Sequence, residues 1–440
     1  MIKLHKIACL LCCCMVLAFT TKAQKAPLLT LQEAVEIALK NNYNIVLAKN
    51  NKTIAQNNTT IGNAGFLPVV DADITQNYSR QRVEQTRSDG TVNSIPNANN
   101  SNLNYGPSLI WTIFDGFAMF ANYDQLKQLN ELRSVTLRDT IVSTTGDLIL
   151  TYYDLINQSQ QIKAQSGAMN ISRTQLRLAS DKFSVGTVSR LEVLNAQVAL
   201  NTDTSNLIAL QQRYKSGKIR LNQLLVRDLQ TDFTVSDTII VDDKIVLGDI
   251  LATAQTQNPS ILSAQINKRI AYISLKQVQS TRYPVIGVTG GYTWTNNKTP
   301  AGFTRTQQAR GLNYGLTASI NIFDGFNQSR RERNAKIQID NAGINVKQTR
   351  LNVEAQISDL YARYLSGMDL VKVGRSSVEA ARRNLEITLD KYRIGTITPL
   401  EIREAQRNFL DAQYTFSSAV YQSKVAEVTL KQITNNLNIQ

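Results

Sequence analysis

Two stretches of this chain, Phe117–Lys182 and Phe326–Lys391, each run for 66 residues without a proline. Proline both removes a backbone donor and clashes with the preceding turn, so its absence over such a length leaves a helix free to continue. At about 1.5 Å per residue each stretch would span roughly 100 Å as one helix. Helices in globular domains are far shorter, about three to four turns. The clearest apolar stripe, Leu126, Leu129, Leu132 and Val135, is narrow and flanked by polar residues. That pattern predicts a coiled-coil seam and so a rod or tube.

The two stretches are copies. "IFDGF" occurs at Ile113–Phe117 and again at Ile322–Phe326, 209 positions on. "NYG" at Asn104 and Asn313, "KFSVGT" and "KYRIGT" at Lys182 and Lys391, and "LEVLNAQ" and "LEIREAQ" at Leu191 and Leu400 keep the same offset. Upstream the offset is 216, set by Pro68 and Pro284, so a seven-residue length difference falls between these prolines and the NYG strings. Repeats in a fixed register predict one structural unit built twice, and length differences belong in exposed loops. The chain accordingly divides into a first repeat at 24–246 and a second at 247–440.

Each repeat opens with an amphipathic helix, from Leu31 and from Leu247; Thr30 with Glu33 three residues on reads as a capping box. Two strand patterns follow, near 66–78 and 103–114 in the first repeat and near 283–294 and 311–323 in the second. In the first of these, Val70, Ala72, Ile74 and Tyr78 alternate with Asp71, Asp73, Thr75 and Asn77. Alternation of period two gives one apolar and one polar face. The strands are about 9–12 residues long with Tyr and Trp near their ends, which matches strands that cross a bilayer at a tilt. The polar stretches Ser79–Asn102 and Thr295–Arg310 are expected to be loops. The long helix hairpins occupy 117–226 and 326–434.

One chain thus supplies four strands, while the smallest membrane barrels need about eight. An open sheet edge in lipid leaves backbone groups without partners. The strands can therefore span a membrane only if several copies share one barrel.

The N-terminus gives the compartment. Lys3, His5 and Lys6 precede an apolar run from Ile7 to Phe19, and Thr21-Lys22-Ala23 offers a cleavage site before Gln24. Residues 1–23 read as a secretory signal peptide, since the run is too short to span a bilayer. Cys9, Cys12, Cys13 and Cys14 and the single histidine all lie within it. A lipoprotein signal would be another use of those cysteines, but none follows a leucine-small-small context. Once residues 1–23 are removed, the rest can form no disulfide, no Cys/His zinc site and no histidine-based triad. No phosphate-binding loop is present, so neither an enzyme nor a bound cofactor or metal is expected. The net charge of +14 falls to +11 without Lys3, Lys6 and Lys22, and the basic residues are scattered apart from "SRRERN" at Ser329–Asn334. For an exported chain that is a solvated basic surface rather than a nucleic-acid site.

The order helix, strand pair, long helix hairpin, twice over, resembles the TolC-type outer-membrane efflux proteins, as do "FLPVV", "IFDGF" and the strings "KFSVGTVSRLEVLNAQ" and "KYRIGTITPLEIREAQ". The resemblance covers nearly the whole mature chain. It implies a homotrimer, a 12-stranded β-barrel in outer-membrane lipid and a helical coiled-coil tunnel in the periplasm. It also implies a periplasmic adaptor and an inner-membrane pump as partners, with small molecules as the exported cargo. A type I protein-secretion duct shares this architecture. A secreted coiled-coil fibre explains the helices but not the strands.

A duct needs a gate and a docking surface. Gly186 and Gly395 each end a long helix in the manner of a left-handed cap. The resemblance makes these tips the adaptor contact and the closing end of the tunnel. The residues concerned are Phe183, Val185, Gly186, Thr187 and Leu191, with Tyr392, Ile394, Gly395, Thr396 and Leu400 in the second repeat. Glu192 and Glu401 lie six residues after the glycines, and Glu404 shares a helix face with Glu401. Repeated around a threefold axis, such acids form rings that concentrate cations. The resemblance implies a pore constriction at Glu401 and Glu404, with Glu192 as the first-repeat acid. Family members can hold the gate shut through a basic residue two after the second glycine; here that residue is Ile397, and Asn195 replaces an acid. Arg403 or Arg190 is the expected substitute. Phe114, Asp115, Gly116, Phe323, Asp324 and Gly325 are expected to form strand-to-helix joints, with each aspartate capping the helix that follows.

Overall fold

A computed structural model describes residues 27–300 and 304–437. The predicted signal peptide, 1–23, with its cysteines and histidine, lies outside the described residues. The elements run α1 (Leu31–Asn41), α2 (Tyr43–Asn58), α3 (Ile61–Ala64), β1 (Val69–Thr86), β2 (Val92–Asp115), α4 (Ala118–Ser184) and α5 (Arg190–Leu225). The second half repeats the order with α6 (Leu247–Gln257), α7 (Pro259–Ser280), β3 (Val285–Lys298), β4 (Thr306–Ser319), α8 (Asn327–Arg393) and α9 (Pro399–Ile433). Helices α4 and α8 are each 67 residues long and unbroken.

The chain forms two compact units, and neither is a sequence repeat. One takes Leu47–Asp139 and Gln255–Val353; the other takes the chain up to Val46, Thr140–Ala254 and the chain from Glu354. Each unit combines equivalent pieces of both copies.

The first unit contains the sheet, in the order β1-β2-β3-β4, antiparallel throughout. Register places Ile74 beside Tyr105, Tyr105 beside Trp294, and Val288 beside Leu316, so the apolar residues share one face. On the opposite face Ser108 donates to Asp73 at 3.1 Å, Thr295 to Asn104 at 2.8 Å and Asn313 to Thr293 at 3.0 Å. These bonds satisfy the polar side chains across the sheet, as lumen-facing positions require. Strands β1 and β4 are paired on one side only, so both sheet edges are open.

The strands differ from expectation at both ends. Ser79–Asn102 is not a loop: β1 reaches Thr86 and β2 starts at Val92, so the turn is confined to 87–91. Thr295–Arg310 shortens likewise, since β3 reaches Lys298 and β4 starts at Thr306. Backbone pairing continues through the polar stretches because the ladder does not depend on side-chain alternation. At the other end β4 stops at Ser319, not Phe323, because Ser319 pairs with Val285, the first residue of β3. Asp115 at the end of β2 also pairs with Val285.

The two joints are therefore unequal. Asp115 accepts a bond from the Met119 N–H at 3.1 Å and caps α4. The Asp324 carboxylate instead pairs with Arg331 at 3.2 Å, which corrects the expected second cap. Both joints share a right-angled ring pair, Phe114 with Phe117 at 5.2 Å and Phe323 with Phe326 at 5.4 Å. Phe117 and Phe326 adopt positive φ, 69° and 64°, and the helices begin one residue later.

The second unit holds the main apolar core, among Val35, Leu148, Leu155, Leu221, Leu225 and Phe233. Helix α1 starts on the predicted capping box, with Thr30 and Glu33 bonded reciprocally. The buried Tyr152 hydroxyl donates to the Leu29 carbonyl at 2.8 Å and accepts from the Ser236 N–H at 3.2 Å, joining α4 to the segments on either side of the helices. The predicted stripe is less buried than this core: Leu126, Leu132 and Val135 are half-buried and Leu129 is exposed. The seam of α4 that is buried within one chain lies further on, at Leu148–Ile156.

Candidate functional site

Both hairpin tips have the same local chemistry. The Gly186 N–H bonds the Phe183 carbonyl at 3.0 Å and the Thr187 N–H bonds the Lys182 carbonyl at 2.9 Å. In the second repeat Gly395 bonds Tyr392 at 3.1 Å and Thr396 bonds Lys391 at 3.0 Å. This double closure with a positive-φ glycine, at 77° and 81°, is a Schellman cap. Each threonine hydroxyl donates to the same lysine carbonyl, at 2.9 and 3.0 Å, so Thr187 and Thr396 lock the turn as well as following it. The caps leave apolar side chains in water. Val185, Leu191, Ile394 and Leu400 are each at least 66% exposed, and Phe183 is 39% exposed.

Tyr392 does not join that surface. Its exposure is 3%, although its counterpart Phe183 is exposed. The Lys182 ammonium sits 5.3 Å from the Tyr392 ring centroid. Burial, and next the nearby Glu192 carboxylate, push the Tyr392 phenol above its usual range. Tyr392 thus ties α8 to the first-repeat hairpin and is corrected from a docking residue to an internal contact.

The three expected pore acids also separate. Glu401 closes a capping box: its carboxylate accepts from the Thr398 N–H at 2.7 Å and the Thr398 hydroxyl at 2.8 Å. Those backbone and side-chain bonds hold its carboxyl below the ordinary range. Glu404 is exposed one turn later, without a hydrogen-bond or ion-pair partner among the described residues. Glu192 is half-buried on a helix whose N-cap, Ser189, makes no side-chain cap bond. Neither Arg190 nor Arg403 forms an ion pair within one chain among the described residues.

Contacts between the hairpins come instead from a buried polar network that sequence reasoning missed. The Gln406 amide donates to Asp203 at 3.0 Å, the Ala168 carbonyl at 3.0 Å and Ser172 at 3.3 Å. Ser172 donates to Asp203 at 2.5 Å, and Tyr414 donates to Gln165 at 2.8 Å. These bonds join α9 to both α4 and α5. Burial first, then the Asp203 and Asp411 charges, push the Tyr414 phenol up to about 12. The repeat does not mark Gln406: it ends "LEIREAQ" as Gln197 ends "LEVLNAQ", yet Gln197 is exposed.

A second network joins α9 to the segment before α6. Glu427, at 2% exposure, accepts from Lys424 and Lys431, each at 2.9 Å, and from the Asp242 N–H at 2.9 Å. Lys431 also reaches Asp242 at 2.9 Å.

An alternating sheet with open edges, long unbroken helix hairpins and capped apolar tips define an outer-membrane channel protomer. The comparisons agree. The profile of the family "Outer membrane efflux protein" matches residues 34–226 and 250–436, one match per repeat. This chain belongs to that family. It is 22% identical over 412 residues to the outer membrane efflux protein BepC of Brucella suis, covering 93% of this chain and 86% of BepC. Against the outer membrane protein TolC of Escherichia coli it is 18% identical over 314 residues, covering 69% of this chain and 63% of TolC. Its fold matches the Campylobacter jejuni CmeC outer membrane channel with a TM-score of 0.79 at 18% identity, over 92% of this chain and 85% of CmeC. The chain is an outer-membrane duct of the TolC type, internally duplicated, with its helical part in the periplasm.

Proposed function

We propose that this duct is the exit of a tripartite efflux pump for small molecules, assembled as a homotrimer on a periplasmic adaptor and an inner-membrane pump. The open edges of the sheet carry the oligomeric part of this reading. Three copies of a four-stranded sheet give 12 strands, and each β4 meets the β1 of the next copy, so that no edge faces lipid. The work of such a duct is passage and gating.

The tips are the docking surface. Val185, Leu191, Ile394 and Leu400 expose apolar area that a soluble terminus has no reason to keep, and burying it against a partner supplies association energy. Placing charge there with Val185→Asp and Ile394→Asp is expected to weaken co-purification of adaptor and pump at least about tenfold, since two desolvated charges exceed the 1.4 kcal/mol per decade of affinity. Undiminished co-purification of the double variant would remove the tips from the interface.

Glu404 is the acid free to face the pore, and Glu401 adds its charge from a position fixed by the capping box. In planar-bilayer recordings Glu404→Gln is expected to lower cation over anion selectivity. Glu401→Gln combines that loss with a weakened N-cap. Selectivity unchanged in both variants would sink the acidic ring.

A further inference from the structure

The sheet carries a second kind of surface at the end nearest its hairpin turns. The hairpin β3–β4, from Val285 to Ser319, contains no acidic residue; its cations are Lys298, Arg305 and Arg310. Arg310 pairs in register with Trp294 on the apolar face, and Trp294 stacks on Tyr105 at 5.5 Å with planes 7° apart and contacts Tyr292 at 4.5 Å. This aromatic row is where an apolar band ends and headgroups begin. Four residues beyond Trp294 on the same face lies Lys298, opposite Thr306. On β1 the same face carries Tyr78 and then Arg80. Lys298 and Arg310 are exposed, and neither has an ion pair or a hydrogen-bonded carboxylate among the described residues. Two residues along a strand advance about 6.8 Å, so Arg310, level with the aromatic row, and Lys298, beyond it toward the turn, stand roughly 13 Å apart along the hairpin.

We infer that this face binds the phosphate groups of an outer-leaflet glycolipid, with Arg310 and Lys298 as the phosphate ligands and Trp294 and Tyr105 as the aromatic platform beside Arg310. Guanidinium suits a phosphate because it offers two parallel donors, and lysine adds a point charge. Unpaired cations at the edge of an apolar belt are poorly placed in hydrocarbon and well placed against an anionic headgroup layer. The inference rests on the sheet crossing the outer membrane with its hairpin turns outward.

The test is native mass spectrometry of the full-length protein, extracted from the outer membrane in mild detergent and titrated with bisphosphorylated lipid A or its phosphate-free counterpart. The wild-type oligomer is expected to hold the phosphorylated form preferentially. Lys298→Gln with Arg310→Gln is expected to lower that occupancy about tenfold or more, whereas Lys298→Arg with Arg310→Lys keeps it, which separates lost charge from lost folding. Equal occupancy by the phosphate-free lipid, or full retention by the glutamine variant, overturns the inference. So does a glutamine variant that loses only oligomer stability, since the cations then serve the joint between copies. A chain absent from the outer-membrane fraction would overturn the membrane role of the sheet as well.

Discussion

Gly116→Ala is expected to destabilise the folded oligomer far more than Gly325→Ala, although the two glycines occupy the same place in the repeated "IFDGF". Both have positive φ, 69° and 66°, and the left-handed region costs an L-residue about 1–2 kcal/mol at either site. The surroundings differ. A Cβ at Gly116 would lie 2.2 Å from the Ser280 carbonyl oxygen and 2.8 Å from the Tyr283 Cβ, whereas at Gly325 the nearest atom is the Asn327 amide nitrogen at 3.8 Å. Ser280 ends α7 and is buried, so its carbonyl cannot swing aside as a surface side chain would. Forcing the backbone apart adds about 1–3 kcal/mol, typical of overpacking. The joint also carries the Phe117 ring against Phe114, Phe120 and Tyr283, which the displacement would disturb. The difference between the two variants, read from the temperature at which the heat-modifiable oligomer dissociates, isolates the steric contribution. Equal shifts would leave only the backbone conformation to explain the conserved spacing of the two copies within this chain.

This asymmetry also marks the limit of what the repeat discloses. Four strings in one register were enough to place both joints, both tips and both unbroken helices, because periodicity and proline absence act locally along the chain. Exact duplication predicts equal surroundings, and the packing does not respect it. Phe183 is exposed where Tyr392 is buried, Gln197 is exposed where Gln406 holds a network, and Asp115 caps where Asp324 pairs with Arg331. The first two differences come from neighbours distant in sequence, Lys182 beside Tyr392 and Ser172 beside Gln406, and the third from Arg331, seven residues after Asp324. The strand ends depart from the alternation for a related reason. Alternation ceases where β1 and β2 become polar on both faces, yet the hydrogen-bond ladder continues to Thr86 and Val92. Glu401 illustrates the opposite case: Thr398, Pro399 and Glu401 together spell a helix start, and a cap signal was present beside the functional one.

Glu427→Ala is expected to be the most destabilising charge substitution in the helical unit, lowering stability by about 3–5 kcal/mol. Its carboxylate is buried and accepts three donors, the ammonium groups of Lys424 and Lys431 and the Asp242 N–H. Removing it takes from Lys424, which is 11% exposed, its one ion pair among the described residues, leaving the Tyr153 ring at 5.2 Å from its nitrogen and the more distant charge of Asp242. Lys431 keeps Asp242, so the loss is uneven between the two lysines. The bond from Lys431 first, then the backbone bond from Lys244, holds the Asp242 carboxyl below its ordinary value of 3.8. Its contribution is therefore present above that value and is lost as pH falls through the lower folded one. Burial alone would lower the Lys431 ammonium, but its bonds to Glu427 and Asp242 more than offset this and raise it above 10.5. That contribution is present below 10.5 and is lost only as pH rises through the raised value. The Lys431–Asp242 pair is thus at full strength between about pH 4 and 10, and the Glu427→Ala deficit is measured by denaturant unfolding within that window. Glu427→Leu combined with Lys424→Met removes the stranded charge together with its partner and should recover most of the loss, because an apolar pair of similar volume replaces a desolvated one. If Glu427→Ala costs less than about 1 kcal/mol, Lys424 must reach water when its partner goes, and the network would be a surface feature rather than the clamp between α9 and the segment before α6.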